Sequence, residues 1–278
     1  MSSRYEFLGS LSFGHYIPRS SWFHRRDPRA RLVVFICLFF GIVFTSHLWA
    51  IGLGLALVLG VYALASLPLK SAWRGIRRSI IFILLLALLQ IFLFRAGDPG
   101  ATLWVVFGLP ITTNAVLSAA ILVAKFIVLI LLINALVMSL STSQITTALF
   151  YMLKPFEKIG FPVNDLILVV QVTLRYLPLI AQTAEKTAKA QASRGGDWEQ
   201  KGFNPLRQAK RVLPMIVPLI VTSLKRAETM ALAMESRGFN AAEERSSYYE
   251  LNFNGEDAIL VALGILASTL LLVPGWIA

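Results

Sequence analysis

Two arginines stand out by their settings. Ser193-Arg194-Gly195 and Ser236-Arg237-Gly238 each close a twelve-residue segment, Ala184 to Gly195 and Ala227 to Gly238, and seven of the twelve aligned positions are identical. A guanidinium so placed can pair in bidentate fashion with a carboxylate on another molecule. Good helix formers precede each Ser-Arg-Gly, so each segment reads as a helix with arginine in its last turn and glycine just past its end. Upstream, Arg175-Tyr-Leu-Pro178 pairs with Arg211-Val-Leu-Pro214, and the terminal arginine follows 19 residues later in the first copy and 26 in the second. That difference is close to two helical turns, which makes the second arm longer while its faces stay nearly in register. One such arginine would be explained by attraction to the helix dipole, worth about 0.3–1 kcal/mol. Repetition of the alanine, glutamate and serine positions goes beyond capping and predicts a chain that plugs into a partner at two equivalent points.

Other chemistries find no residues to carry them. No Gly-Lys dipeptide occurs, so there is no P-loop to cradle phosphates. His15, His24 and His47 are scattered without carboxylates at ligand spacing, and there is no Gly-x-Ser-x-Gly elbow. No catalytic residue and no metal ligand is assigned, and the chain is not read as an enzyme. The single cysteine, Cys37, permits no internal disulfide and reads as a small buried hydrophobe.

The elements that must present the two tips are set in a very apolar chain. Of its 278 residues 56% are hydrophobic and 15% charged, well beyond the roughly 45–50% apolar content of soluble domains. An all-α integral membrane protein is expected. Five segments have the apolar character of spans: Arg31 to Ser46, Leu48 to Leu67, Ser79 to Phe94, Ala115 to Met138 and Ala258 to Ile277. The first and third are short and are expected to use Arg29, Arg31, Arg77 and Arg78 to reach the headgroups. Asp27-Pro28 reads as an N-cap with proline at the first helical position. The apolar run begins only after about thirty polar residues, so no removable signal peptide is expected.

The net charge of +11 would suit nucleic acid, but its placement points to membrane topology instead. Residues 1 to 31 carry six arginines against two acids, and Lys70, Arg74, Arg77 and Arg78 fill the 70–78 connection without an acid, whereas 95–113 has only Arg95 and Asp98. The positive-inside rule then places the N-terminus and the 70–78 connection in the cytoplasm. Lys125 is the one charge well inside a span, which leaves snorkelling, a local pairing or a transport role open. Gly52, Ala56 and Gly60 recur every four residues, either as a face for close helix approach or simply as common small membrane residues.

Between 141 and 257 the character changes: fourteen basic and twelve acidic residues nearly balance, and Pro178, Pro214 and Pro218 interrupt the apolar runs. Long amphipathic helices bent near these prolines, lying at the cytoplasmic face without crossing, are expected. Thr142 to Ile159 is expected to be a shorter helix with Leu149, Met152, Leu153 and Phe156 as its apolar stripe. The domain reading is therefore a cytoplasmic or interfacial segment at 1–26, a membrane bundle of four spans at 27–140, a cytoplasmic domain at 141–257 and a last transmembrane helix at 258–278.

With His24-Arg-Arg-Asp-Pro-Arg29, its lead-in Gly14-His-Tyr-Ile-Pro18, Lys189-Ala-Gln-Ala-Ser-Arg-Gly195 and Leu232-Ala-Met-Glu-Ser-Arg-Gly-Phe239, the chain resembles the transmembrane T components of energy-coupling factor (ECF) transporters, the EcfT, CbiQ and BioN family. The likeness covers nearly the whole chain. It departs in having Ser193 and Ser236 where the family usually has alanine, a small and nearly isosteric change. The resemblance implies an L-shaped form and a coupling domain of three helices, at about 142–159, 164–194 and 204–237, the last two crossing in an X. It also implies two ABC-type ATPase subunits, identical or different, that bind Ser193-Arg194-Gly195 and Ser236-Arg237-Gly238, and a membrane-embedded S component that binds a vitamin or other micronutrient. ATP and Mg would be bound by the ATPases, with no cofactor in this chain, and the location would be a prokaryotic cell membrane with the N-terminus inside. The rival readings are a conventional ABC permease with its own substrate pathway and a non-transport membrane scaffold. Two tips beside a single non-duplicated bundle favour the T component.

Overall fold

The computed structural model describes residues 21–45, 47–93, 102–106, 109–160, 162–194, 205–239 and 253–272. Eight helices carry it: α1 (Pro28–Phe44), α2 (Leu48–Leu64), α3 (Leu69–Leu93), α4 (Thr113–Ser139), α5 (Thr142–Leu153), α6 (Val163–Ser193), α7 (Pro205–Ser236) and α8 (Gly255–Leu272). Short 3-10 turns lie at Phe23–Arg25 and Lys154–Ile159. The protein is an all-α membrane protein, to which the loop before α4 adds one antiparallel hairpin, β1 (Thr102–Val106) with β2 (Leu109–Thr112). That hairpin was not expected from the sequence, although β-branched residues on either side of Phe107-Gly108 favour it. By length and composition α4, α6 from Asp165 onward and α8 are sufficient to cross a membrane, and α2 is a shorter apolar helix.

The helices fall into two compact units, one of α6 and α7 and one of the rest. In the second unit α1 packs on α8, α5 and α4, and α4 also receives α2 and α3. The core is built of Phe35, Leu38 and Ile42 from α1, Val58 and Tyr62 from α2, Leu132 and Met138 from α4, and Leu271 from α8. In lipid, where burying apolar groups between helices gains little, close packing requires small residues. They sit between α1 and α8: a Cβ on Gly264 would lie 2.9 Å from Val34 Cγ2, and one on Gly41 would lie 3.1 Å from Ser268 Cα. The Gly52, Ala56, Gly60 row does not take this role. Gly52 and Ala56 face outward, and nothing lies within 4 Å of a Cβ at Gly52 or Gly60; the helix turns its Gly54 side to Ile42 instead.

Several polar side chains of the bundle go to helix ends, where backbone groups lack partners and lipid offers none. Lys125 Nζ donates to the Val43 carbonyl at 3.0 Å, in the last turn of α1, so the local pairing accounts for this charge. Thr45 Oγ1 donates to Leu271 O at the end of α8 (2.9 Å), and Arg31 Nη1 to Ser139 O at the end of α4 (3.0 Å). Asp27 caps α1 by accepting from Arg29 N at 2.8 Å, with Pro28 following as the sequence predicts. Asp257 accepts from two helix starts at once, Asn254 N of α8 at 3.0 Å and Asp27 N at 3.2 Å.

Four further local expectations change. Arg31, expected to reach the headgroups, is buried on Ser139 O instead. The basic residues from Lys70 to Arg78 are not a connection: α3 begins at Leu69, and they form its first turns. The preceding turn stops α2 with Ser66 at φ +52°, Leu67 N donating to Tyr62 O and Ser66 N to Ala63 O, a Schellman end with serine where glycine is usual. On α5 the expected stripe is not the packed face. Ala148 and Phe150 are buried, whereas Leu149, Met152 and Phe156 are exposed, because the helix docks on α1 through its other side. Cys37 is half-buried and free.

Candidate functional site: the paired arginine tips

The two tips share a local construction. In α6, Ser193 Oγ donates to Ala190 O at 2.9 Å, and Arg194 is the C-cap, its N–H shared between Ala192 O and Gln191 O. In α7, Ser236 Oγ donates to Ala233 O at 3.0 Å. Each serine thus folds its hydroxyl back onto its own helix, in the space that an alanine would leave to water, and does not reach outward. After Arg237 the chain turns through Gly238 at φ +73°, with Gly238 N donating to Glu235 O at 2.9 Å and Phe239 N to Met234 O at 3.0 Å. This is a Schellman motif, and its left-handed residue is the reason for a glycine here. Gly195 lies outside the described residues. Both Arg194 and Arg237 are exposed, with their guanidinium groups on the negative end of a helix dipole.

Within this unit α6 packs on α7. Along the second half of α6, Glu185 and Ala188 are buried, and Lys189 Nζ pairs with Glu185 Oε1 at 2.5 Å. The second copy has Glu228 but Leu232 in place of the lysine, so this pair is not duplicated. Pro178 lies inside α6, and Pro214 and Pro218 inside α7, without ending either helix. Pro218 has no N–H to give the carbonyl four residues back, that of Pro214. Gln191 Nε2 of α6 donates to that carbonyl at 3.4 Å. Gln191 stands in the quoted motif of the first tip without an expected role of its own; its further signal is a polar amide opposite Met234 in the repeat.

The Gln191–Pro214 tie lies near the tip of one helix and far along the chain from the tip of the other. Arg194 is one turn beyond Gln191, whereas Arg237 lies the whole remaining length of α7 beyond Pro214, roughly 35 Å at 1.5 Å per residue.

A family described as cobalt transport protein, CbiQ, matches residues 19–248. The chain belongs to this family. The energy-coupling factor transporter transmembrane protein EcfT of Listeria innocua serovar 6a is 32% identical over 266 residues, covering 95% of this chain and 98% of that protein. The protein of the same name from Bacillus subtilis is 31% identical over 268 residues, with 95% and 98% covered. That of Leuconostoc gelidum subsp. gasicomitatum is 31% identical over 255 residues, with 92% and 93% covered. The chain is thus a T component of the ECF class, a transmembrane transport subunit. Among the described residues of this T component, no three His, Cys, Asp or Glu side chains gather where they could hold a metal ion.

Proposed function

We propose that this T component couples ATP hydrolysis by two partner ATPase subunits to movement of a membrane-embedded S component that carries a vitamin or other micronutrient. Arg194 and Arg237 are the two docking groups, one for each ATPase, supported by Ser193, Ser236, Gly195 and Gly238. The observation that carries this reading is the duplicated helix end, an exposed arginine behind a serine turned back on its own helix, at the ends of both α6 and α7. ATP and Mg belong to the ATPases, and this chain contributes no catalytic residue. The exposed apolar row Leu213, Val217, Ile220 and Leu224 of α7 suits contact with the S component or lipid. Pro178, Pro214 and Pro218 serve as bends in the arms. The N-terminus and the coupling helices are cytoplasmic.

The test is co-purification from membranes together with uptake in reconstituted vesicles. Truncating a buried interface arginine can cost ~2 kcal/mol or more, so the Arg194→Ala/Arg237→Ala variant should lose both ATPases and uptake. Ser193→Ala/Ser236→Ala should retain both, because the hydroxyls bond only within their own helices. Stoichiometric ATPase and normal uptake in the double arginine variant would overturn the proposal.

A further inference from the structure

The motif His24–Arg29, which the tips leave unexplained, is gathered at one end of the membrane bundle and reaches both neighbours of α1 there. Toward α8, Asp257 accepts from Asp27 N and Arg26 pairs with Glu256. Toward α5, the Arg29 guanidinium lies 3.7 Å from the centroid of the Tyr151 ring, a cation–π stack. Arg31, 1% exposed, donates to Ser139 O where α4 hands over to α5. That joint is short and closed: Leu140 N returns to Leu136 O, and Ser141 starts α5 with a full capping box, Gln144 N to Ser141 Oγ and Ser141 N to Gln144 Oε1, both 3.2 Å. Ala148 and Phe150 then bury the other side of α5. At the far end, the 3-10 turn finishes at Ile159 and Gly160 takes φ +87° with nothing within 4 Å of its Cβ position.

We propose that Arg29 and Arg31 are positioning residues of the transport cycle that clamp α5 to the membrane bundle, so that α5 is the fixed support of the coupling helices and the moving part begins at Gly160. This inference rests on the coupling function proposed above. A guanidinium without access to water, held on the carbonyl that ends α4, resists displacement because moving it strands a buried charge. The stacked Arg29 adds a second attachment two turns into α5, and together they fix the helix at both its start and its body. The division of the coupling helices is then unequal: α5 stays with α1, and α6 and α7 carry the tips.

The experiment uses the full complex of T component, ATPases and S component in lipid nanodiscs, in a Cys37→Ala background. Spin labels on Phe40→Cys of α1 paired with Ser143→Cys of α5 report the clamp, and Phe40→Cys paired with Thr229→Cys of α7 reports the arm; all three positions are exposed. Distances are measured without nucleotide and with Mg-ATP and vanadate. The expected result is an unchanged α1–α5 distribution beside a shifted α1–α7 distribution. A shift in the α1–α5 pair overturns the clamp while leaving the coupling function standing. No shift in either pair overturns the coupling function, and this inference with it. A second arm replaces the stacking partner: Tyr151→Phe should keep uptake per ATP hydrolysed, and Tyr151→Ala should keep assembly and ATP hydrolysis while that ratio falls several-fold. An unchanged ratio in an assembled Tyr151→Ala complex also refutes the positioning role.

Discussion

Replacing Asp257 should loosen the bundle more than any exposed charge could. Its carboxylate is 2% exposed and receives two backbone N–H groups, Asn254 N and Asp27 N, from the starts of α8 and α1. Asp257→Ala leaves the buried Asp27 N–H without an acceptor, at about 1–3 kcal/mol, or ~2 kcal/mol, whereas the N–H of exposed Asn254 turns to water. Asp257→Asn keeps one acceptor oxygen and turns its amide NH2 toward the other N–H, for about half that loss. In a chain of this size each kcal/mol moves the melting temperature by about 2–4 °C, so Asp257→Ala should melt about 6 °C lower and Asp257→Asn about 3 °C lower. The neighbouring Glu256, 61% exposed in its pair with Arg26, serves as the control. With Glu256 in water, its pair with Arg26, whose side chain is 13% exposed, is screened and contributes about 0–1 kcal/mol, so Glu256→Ala should melt within a few degrees of the parent. The assay is a thermal ramp in one detergent with a fluorogenic maleimide, because the single thiol, Cys37, is half-buried in α1 and becomes reactive as the bundle opens. A drop for Asp257→Ala no larger than that for Glu256→Ala would refute the assignment of Asp257 as the joint cap of two helices.

The same ramp separates the packed glycines from the open ones. Gly264→Leu should be destabilised by about 1–3 kcal/mol or more through collision with Val34, whereas Gly52→Leu, with open space around its Cβ position, should match the parent. For the arms, Gln191→Ala should lower uptake per ATP in the assembled transporter, and Pro218→Ala should abolish that sensitivity by returning a backbone donor to Pro214 O; equal effects in both backgrounds would count against the tie. For topology, α6 is long and apolar enough to cross, and labelling decides: Asp197→Cys in a Cys37→Ala background should resist impermeant maleimide on intact cells and react after lysis, and reaction from outside would place α6 across the membrane.

Features carried by local pattern could be read before the structure. The repeat located both tips, because a Ser-Arg-Gly after a helix-forming run is a statement about consecutive residues, and Asp27-Pro28 marked the start of α1 for the same reason. The start of α3 was misread because four basic residues look like a connection. In a helix entering the headgroup region, however, long cationic side chains are tolerated on its first turns, and the stop before it was a serine with φ +52° and not the usual glycine. The face of α5 was misread because apolar spacing identifies a stripe without saying what covers it, and in a membrane protein the greasier side can be the one left toward lipid or a partner.

The pairing of distant helix ends was beyond any local reading. Lys125 with Val43 O, Arg31 with Ser139 O, Thr45 with Leu271 O and Asp257 with Asp27 N each join residues far apart in the chain. Composition could say that a charge within a span needs a partner, but not that the partner would be the exposed backbone of another helix end. These bonds share a physical reason. Where water is excluded, unpaired terminal carbonyls and N–H groups are the most demanding acceptors and donors available, and a cation or carboxylate set against them gives them the partner that lipid cannot. These bonded residues are therefore fasteners between helices, a different setting from the exposed arginines at the ends of α6 and α7.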